Sequence, residues 1–439
     1  MDFLDFIIFF IWVFIFHMFF SFRRKRYKRP VLKKYHRRGF WIKVMASLAY
    51  SMFVLYLSPG DTTLLYYPEG VNIYRLILDD PTHFSILVQP AAQFDQALLT
   101  DISNSGYFDH ESNFMVARFV AIFSFFTMGK FLAINLFFSM FAFTGAWRLY
   151  RFFFEQYEYL HKHFAIAIVF LPTFVFWSSG ILKDSLCIAA LGWITYSMHS
   201  IFYTKNNVFR NLLLLVFFIW LLAMVKVYIL LSYMPFFILF LLLKNLKLIQ
   251  SRVARAGLVL FFLAISIVGF LSMSENIENA LGKFAGEGLT KSIQNYQEIY
   301  SSQIKAQDSN FSLGVEFDGT PQSLLKMAPA AIVATFYRPF LWESKKLSTL
   351  LSSVESLLMM MFTLYVMFKV GFIKFFVTIF RSPIVLYCFL FALIFGLFVG
   401  ATTLNFGSLV RYKIPAMPFY VISLIMILDF HGKIKKNPG

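Results

Sequence analysis

The sequence predicts an all-α, polytopic integral membrane protein of about eleven transmembrane helices. It forms one membrane domain over 1–439, with two larger external segments. Three observations predict this. Of 439 residues, 59% are apolar and 14% charged, whereas an ordinary soluble domain is about half apolar and a quarter charged. Apolar runs near the roughly 20 residues that a helix needs to cross a bilayer recur along the chain. The 40 Lys and Arg residues outnumber the 23 Asp and Glu and gather in short links between those runs, as cytoplasmic loops do. A soluble enzyme, a secreted disulfide scaffold and a disordered chain are excluded, because the polar side chains are too few to cover a water-facing surface. The net charge of +17 would favour nucleic acid in a soluble protein. Placed beside apolar spans, the basic residues make membrane lipid the expected partner instead. Cys187 and Cys388 lie inside apolar runs, which argues against a disulfide framework or a Cys metal site.

Residues 3–22 form the first expected span. Asp2 and Asp5 come before it and a basic block after it, the reverse of a cleaved signal peptide. The block 23–38 contains ten Lys or Arg residues and belongs in the cytoplasm, which puts the N-terminus outside. Holding anionic headgroups is a second use for such a block. The span 40–57 then runs outward to Ser58-Pro59-Gly60-Asp61. The stretch to Asn113 carries eight acidic residues and one basic residue, Arg75, as an external loop would. Residues 114–128 are apolar, short and interrupted by Arg118, and read as an interfacial or re-entrant helix that completes an external loop over 58–130.

The remaining spans are expected near 131–149, 164–179, 184–203, 210–226, 227–244, 257–273, 353–371, 384–401 and 413–430. The links 205–211, 244–256 and 369–382 are basic and fall inside, together with the tail around Lys433, Lys435 and Lys436. Other external segments are the turn 178–184, the stretch 274–352 and the turn 401–415. No repeat of fixed period supports an inverted-repeat transporter, and no Walker loop or dinucleotide fingerprint is present.

Four constellations could carry chemistry, all at expected external ends of spans. Asp61 sits behind Pro59-Gly60 and ahead of Tyr66, Tyr67 and Glu69; a carboxylate at the membrane boundary can take a proton from an acceptor hydroxyl. Capping the helix that starts at Thr62 is its simpler use. The turn Trp177-Ser178-Ser179-Gly180-Ile181-Leu182-Lys183-Asp184 places Lys183 at a helix N-terminus, a phosphate-binding arrangement, or leaves Lys183 and Asp184 merely solvated. In Tyr337-Arg338-Pro339-Phe340-Leu341-Trp342-Glu343, Arg338 suits a phosphate. Trp342 could stack on a sugar or sit in an interfacial belt. Arg411 and Lys413 begin the last span, where they meet an anionic ligand or pair with the acidic first loop. Lys226, between two apolar runs, is expected to snorkel to the surface.

An Asp just beyond an early span, a long first external loop with a surface helix, and the terminal Arg411-Tyr412-x-x-Pro415-x-x-Pro418 resemble the GT-C class of membrane glycosyltransferases. The resemblance covers the layout of most of the chain, while its motifs are short. It implies transfer of a sugar from a polyprenyl-linked donor to a glycan, lipid or protein acceptor on the non-cytoplasmic side of a bacterial cytoplasmic membrane. Asp61 would be the catalytic carboxylate, and Lys183, Arg338, Arg411 and Lys413 would face the carrier phosphate. Tyr66, Tyr67, Glu69, Trp177, Trp342 and Glu343 would contact sugar or acceptor. No organic cofactor is expected and no residues are assigned as metal ligands, while a requirement for a divalent metal stays open. A weaker resemblance, to O-antigen and exopolysaccharide polymerases or ligases, would make Arg338 central instead. A flippase or transporter is the third reading, and it predicts ionisable residues in the middle of spans.

Overall fold

The computed structural model describes residues 2–245, 251–276, 310–315, 321–344 and 347–434. Among them there is no strand, only an isolated bridge between Asn310 and Asn405. Seven helices are long and apolar enough to cross a membrane, or eight if one bent pair counts as a span. The residues fall into two compact units, one up to Val227 and one from Tyr228 onward.

In the first unit, α1 (Phe3–Lys25) and α2 (Pro30–Met52, extended by a π turn Phe53–Leu57) form a hairpin. After a second π turn (Thr62–Tyr66) come α3 (Tyr67–Asp79), a chain of short turns, α4 (Ser105–Phe108) and α5 (Glu111–Thr127). Next are α6 (Phe131–Gln156), α7 (His161–Phe164), α8 (Pro172–Trp177) and α9 (Lys183–His199). Antiparallel packing of α2 and α6 follows from their contacts: Tyr35 lies beside Tyr150, His36 beside Trp147, and Ser139 Oγ donates to the Lys43 carbonyl at 2.8 Å. Asp5 of α1 closes the start of α6 by accepting from Phe131 N–H at 3.1 Å, satisfying one donor that a helix N-terminus leaves open. Helices α6 and α9 run parallel through a small-residue seam. A Cβ added to Gly192 would sit 1.9 Å from the Gly145 carbonyl oxygen, so only glycine allows the two backbones this approach.

The expected span 164–179 is interrupted. A π turn (Ala165–Val169) and a break at Phe170-Leu171 precede α8, because Pro172 cannot continue a helix through its missing N–H. Even so, 161–181 runs the length of α2, from His161 and Phe170 beside Tyr35 to Trp177 beside Tyr50. Lys43 supports this broken passage from the middle of α2. Its Nζ donates to the Ser178 carbonyl at 2.5 Å and to Ser178 Oγ at 2.9 Å, at the carbonyl-rich end of α8 where a cation is favoured.

The expected spans 210–226 and 227–244 belong to one element, α10 (Val208–Asn245), broken at Lys226 by non-helical φ −154° and ψ 77°. The span 257–273 lies in α11 (Arg252–Asn276). In the second unit follow α12 (Pro321–Tyr337), α13 (Leu347–Val370), α14 (Phe372–Arg381) and α15 (Pro383–Thr402). The expected span 413–430 is a pair, α16 (Phe406–Tyr412) and α17 (Met417–Phe430), bent by 61°. Tyr387 OH donates to Tyr233 OH at 2.8 Å, and Tyr233 packs edge-on against Phe391 and Phe419. Thr335 Oγ1 donates to the Gly396 carbonyl at 2.6 Å, locking α12 to α15. Most of the expected segment 274–352 lies outside the described residues.

Candidate functional site

In the first unit the loop after α2 and the turn before α9 close on each other. Thr62 Oγ1 donates to the Ile181 carbonyl at 2.8 Å and shares a 2.7 Å hydrogen bond with Tyr50 OH. Ile181 N–H donates to Asn135 Oδ1 at 3.0 Å. Gly180 permits the closure, since a Cβ there would lie 2.0 Å from the Tyr50 ring. Asp61, next to Thr62, and Lys183, two residues after Ile181, thus lie on adjoining turns. Both are half-buried.

Asp61 stands at the N-cap position of the π turn Thr62–Tyr66. The Gly60 carbonyl accepts from Thr63 N–H at 3.0 Å and Leu64 N–H at 2.9 Å, and the Asp61 side chain makes no capping bond. Lys183 opens α9 and its Nζ donates to Ser112 Oγ at 2.9 Å, beside the N–H groups and positive dipole end of that helix. Asp184 is not solvated as one expectation had it. It is buried, and Lys226 Nζ donates to its Oδ1 at 2.6 Å, with side chains only 1% and 6% exposed. Lys226 therefore does not snorkel: the backbone break in α10 turns it inward to this pair.

Three expected contact residues surround the turns. Tyr66 OH receives a hydrogen bond from Tyr107 OH at 2.8 Å and reaches Asn113 Oδ1 at 3.4 Å. Tyr67 OH donates to the Gly129 carbonyl at 2.9 Å. Burial, with Asp5 nearby, raises its pKa, so it stays a protonated donor rather than a base. Trp177 meets Tyr50 and Phe53 edge-on. Glu69 is buried and holds the loop, accepting from Asn72 Nδ2 and from Thr100 N–H, each at 3.0 Å. Arg118 of α5 is also buried; it pairs with Glu111 and donates to the Ile86 and Gln89 carbonyls.

The second unit holds the other expected residues, with Glu343 and Lys413 in contact with Arg338. Its guanidinium is held by Glu343 through both carboxylate oxygens and donates to the Ser312 carbonyl at 3.1 Å. It lies 4.3 Å from the Phe311 ring centre, and Phe311 stacks on Phe406 at 4.4 Å. Segments 310–315, 338–344 and the start of α16 therefore meet. Glu343 is engaged by Arg338, and Trp342 is 80% exposed and stacked on Phe340. Lys413 is buried, donating to Ser356 Oγ at 3.0 Å and to the Arg338 carbonyl at 3.2 Å. Arg411 is half-buried, with its guanidinium against the Tyr412 ring.

Sequence reasoning missed Lys43, Ser112, Asn113 and Tyr107. Lys43 was visible as a cation inside the apolar run 40–57. The others are ordinary loop residues that only the fold brings beside Lys183 and Tyr66. Among the described residues no group of three or more His, Cys, Asp or Glu side chains is placed to hold a metal ion. No protein-family model matches the chain, and neither does any curated protein or solved structure.

Proposed function

We propose that the chain is a membrane glycosyltransferase that takes a sugar from a polyprenyl-linked donor, with Asp61 as general base and Lys183 facing the leaving phosphate. The observation that carries the reading is the Thr62–Ile181 hydrogen bond, which joins the turn carrying Asp61 to the turn that leads into Lys183 at the start of α9. In the step, Asp61 removes the proton of an acceptor hydroxyl as its oxygen attacks the anomeric carbon. The bond from that carbon to the phosphate oxygen breaks, and the electron pair leaves with the phosphate. Lys183 and the α9 N–H groups stabilise the charge that develops there. Tyr66, Tyr67 and Trp177 supply hydrogen-bonding and aromatic surface to the acceptor.

Purified protein in lipid vesicles should release polyprenyl phosphate or diphosphate when given a polyprenyl-linked sugar and an acceptor glycan. Asp61→Asn should abolish that release while unfolding as wild type does; full release by Asp61→Asn removes the proposal. The polymerase or ligase reading keeps one observation in its favour, the guanidinium of Arg338 stacked and half-buried in the second unit. If Arg338→Ala abolishes release and Asp61→Asn does not, that reading replaces the first. The buried ionisable groups that a transporter would need do occur, as Lys43, Asp184 and Lys226. Each has a partner within its own unit, which supports a packing role for them.

A further inference from the structure

At the opposite end of α2 from Asp61, the last turn of α1 and the first turns of α2 line an open cavity of about 400 Å³. Its lining includes Ser21, Arg24, Lys25, Lys33, Lys34 and Arg37. Five cations thus share one cavity, and no acidic residue occurs between 23 and 38. Among the described residues the block makes one ion pair, Arg29 with Glu158 at 3.0 Å, and Arg29 does not line the cavity. Arg24 is the distinctive member. It is only 8% exposed, and its buried Nη1 has no hydrogen-bond partner.

A buried guanidinium nitrogen left unpaired is costly, and neighbouring like charges make it more so. The start of α2 adds to the positive field, because its cap residue Arg29 offers no side-chain hydrogen bond and its first turn holds no acid. Such a place is complementary to an oxyanion. Arg37 also lines an adjoining cleft of about 510 Å³ with Arg38, Trp41, Ile42 and Phe170. The cation-lined cavity therefore continues along an apolar track.

We propose that this is a binding site for the phosphate of an anionic membrane phospholipid, with Arg24 as the buried ligand and the Trp41–Phe170 cleft taking the start of an acyl chain. The site is distinct from the Asp61–Lys183 turns, and it does not depend on the glycosyltransferase reading. A general basic face would attract any anionic surface. A built site discriminates between residues that line it and equally charged neighbours that do not.

The test uses the full chain in nanodiscs of phosphatidylcholine carrying a trace of phosphatidylglycerol, with retained lipid counted by mass spectrometry after extraction into detergent. Wild type should retain phosphatidylglycerol in preference to phosphatidylcholine. Arg24→Gln should lower retention by roughly tenfold or more, as should the exposed pair Lys34→Gln/Arg37→Gln, which guards against a folding defect in the first variant. The charge-matched pair Arg23→Gln/Lys28→Gln, outside the cavity, should change it by less than about twofold. A parallel arm adds inorganic phosphate. Displacement that disappears in Arg24→Gln supports the oxyanion site and assigns it to soluble phosphate. Equal losses in lining and non-lining variants, or no loss in any, would overturn the proposal.

Discussion

Two ion pairs, one in each unit, hold their cations differently. In the first, Lys226 and Asp184 form a dry pair, with side chains 6% and 1% exposed, and Lys43 is buried against the end of α8. In the second, Arg338 and Glu343 are 16% and 18% exposed, and aromatic rings share the work of holding the guanidinium. A charge with no water nearby must find its whole coordination inside the protein. One at a partly wet edge stays hydrated and keeps surface for a ligand. The comparison separates fully buried charges from half-buried ones, and Asp61 and Lys183 are both half-buried, as the proposed chemistry requires.

The sharpest way to break the comparison is to remove one partner of the dry pair. Lys226→Met should destabilise the protein by about 3–5 kcal/mol, because it leaves Asp184 buried beside an apolar side chain. The double variant Lys226→Met/Asp184→Leu should recover most of that loss; thermal unfolding in detergent reads both. Lys43→Met should cost about 2–3 kcal/mol by stripping the Ser178 carbonyl and hydroxyl of their donor. Arg338→Ala should cost less, about 1–2 kcal/mol, since water reaches the Glu343 carboxylate. Arg338→Lys should recover only part, because a lysine cannot reproduce the two-oxygen fork or the ring stacking. Smallest is Tyr66→Phe, at about 1 kcal/mol, the net worth of its hydrogen bonds with Tyr107 and Asn113.

Much of the fold could be read from the sequence because bilayer-length apolar runs are a coarse, local signal. The runs at 3–22, 131–149 and 384–401 all became continuous helices. Local breaks were harder to read. The expected span 164–179 contains Pro172, yet it was read as continuous, and the backbone opens even before that proline, at the π turn 165–169. Lys226 was taken for a surface residue because its partner Asp184 stands 42 positions away, and no periodicity links them. Asp61 and Lys183 were each legible as charges at the ends of spans. The closing of their two turns on each other was not, since it rests on Thr62, Ile181, Asn135 and Tyr50, four residues whose types say nothing about chemistry. Arg338 was read as facing a phosphate and Glu343 as facing sugar or acceptor, whereas in the structure the two hold each other.

The most direct test of this division compares Asp61→Asn with Asp184→Asn in one preparation, measuring thermal unfolding and donor turnover on the same samples. If the account holds, the change at 61 stops turnover without moving the melting curve, while the change at 184 lowers the melting temperature and leaves the remaining folded protein active. The reverse pattern, an active Asp61→Asn beside an Asp184→Asn that melts normally yet is inert, would contradict it.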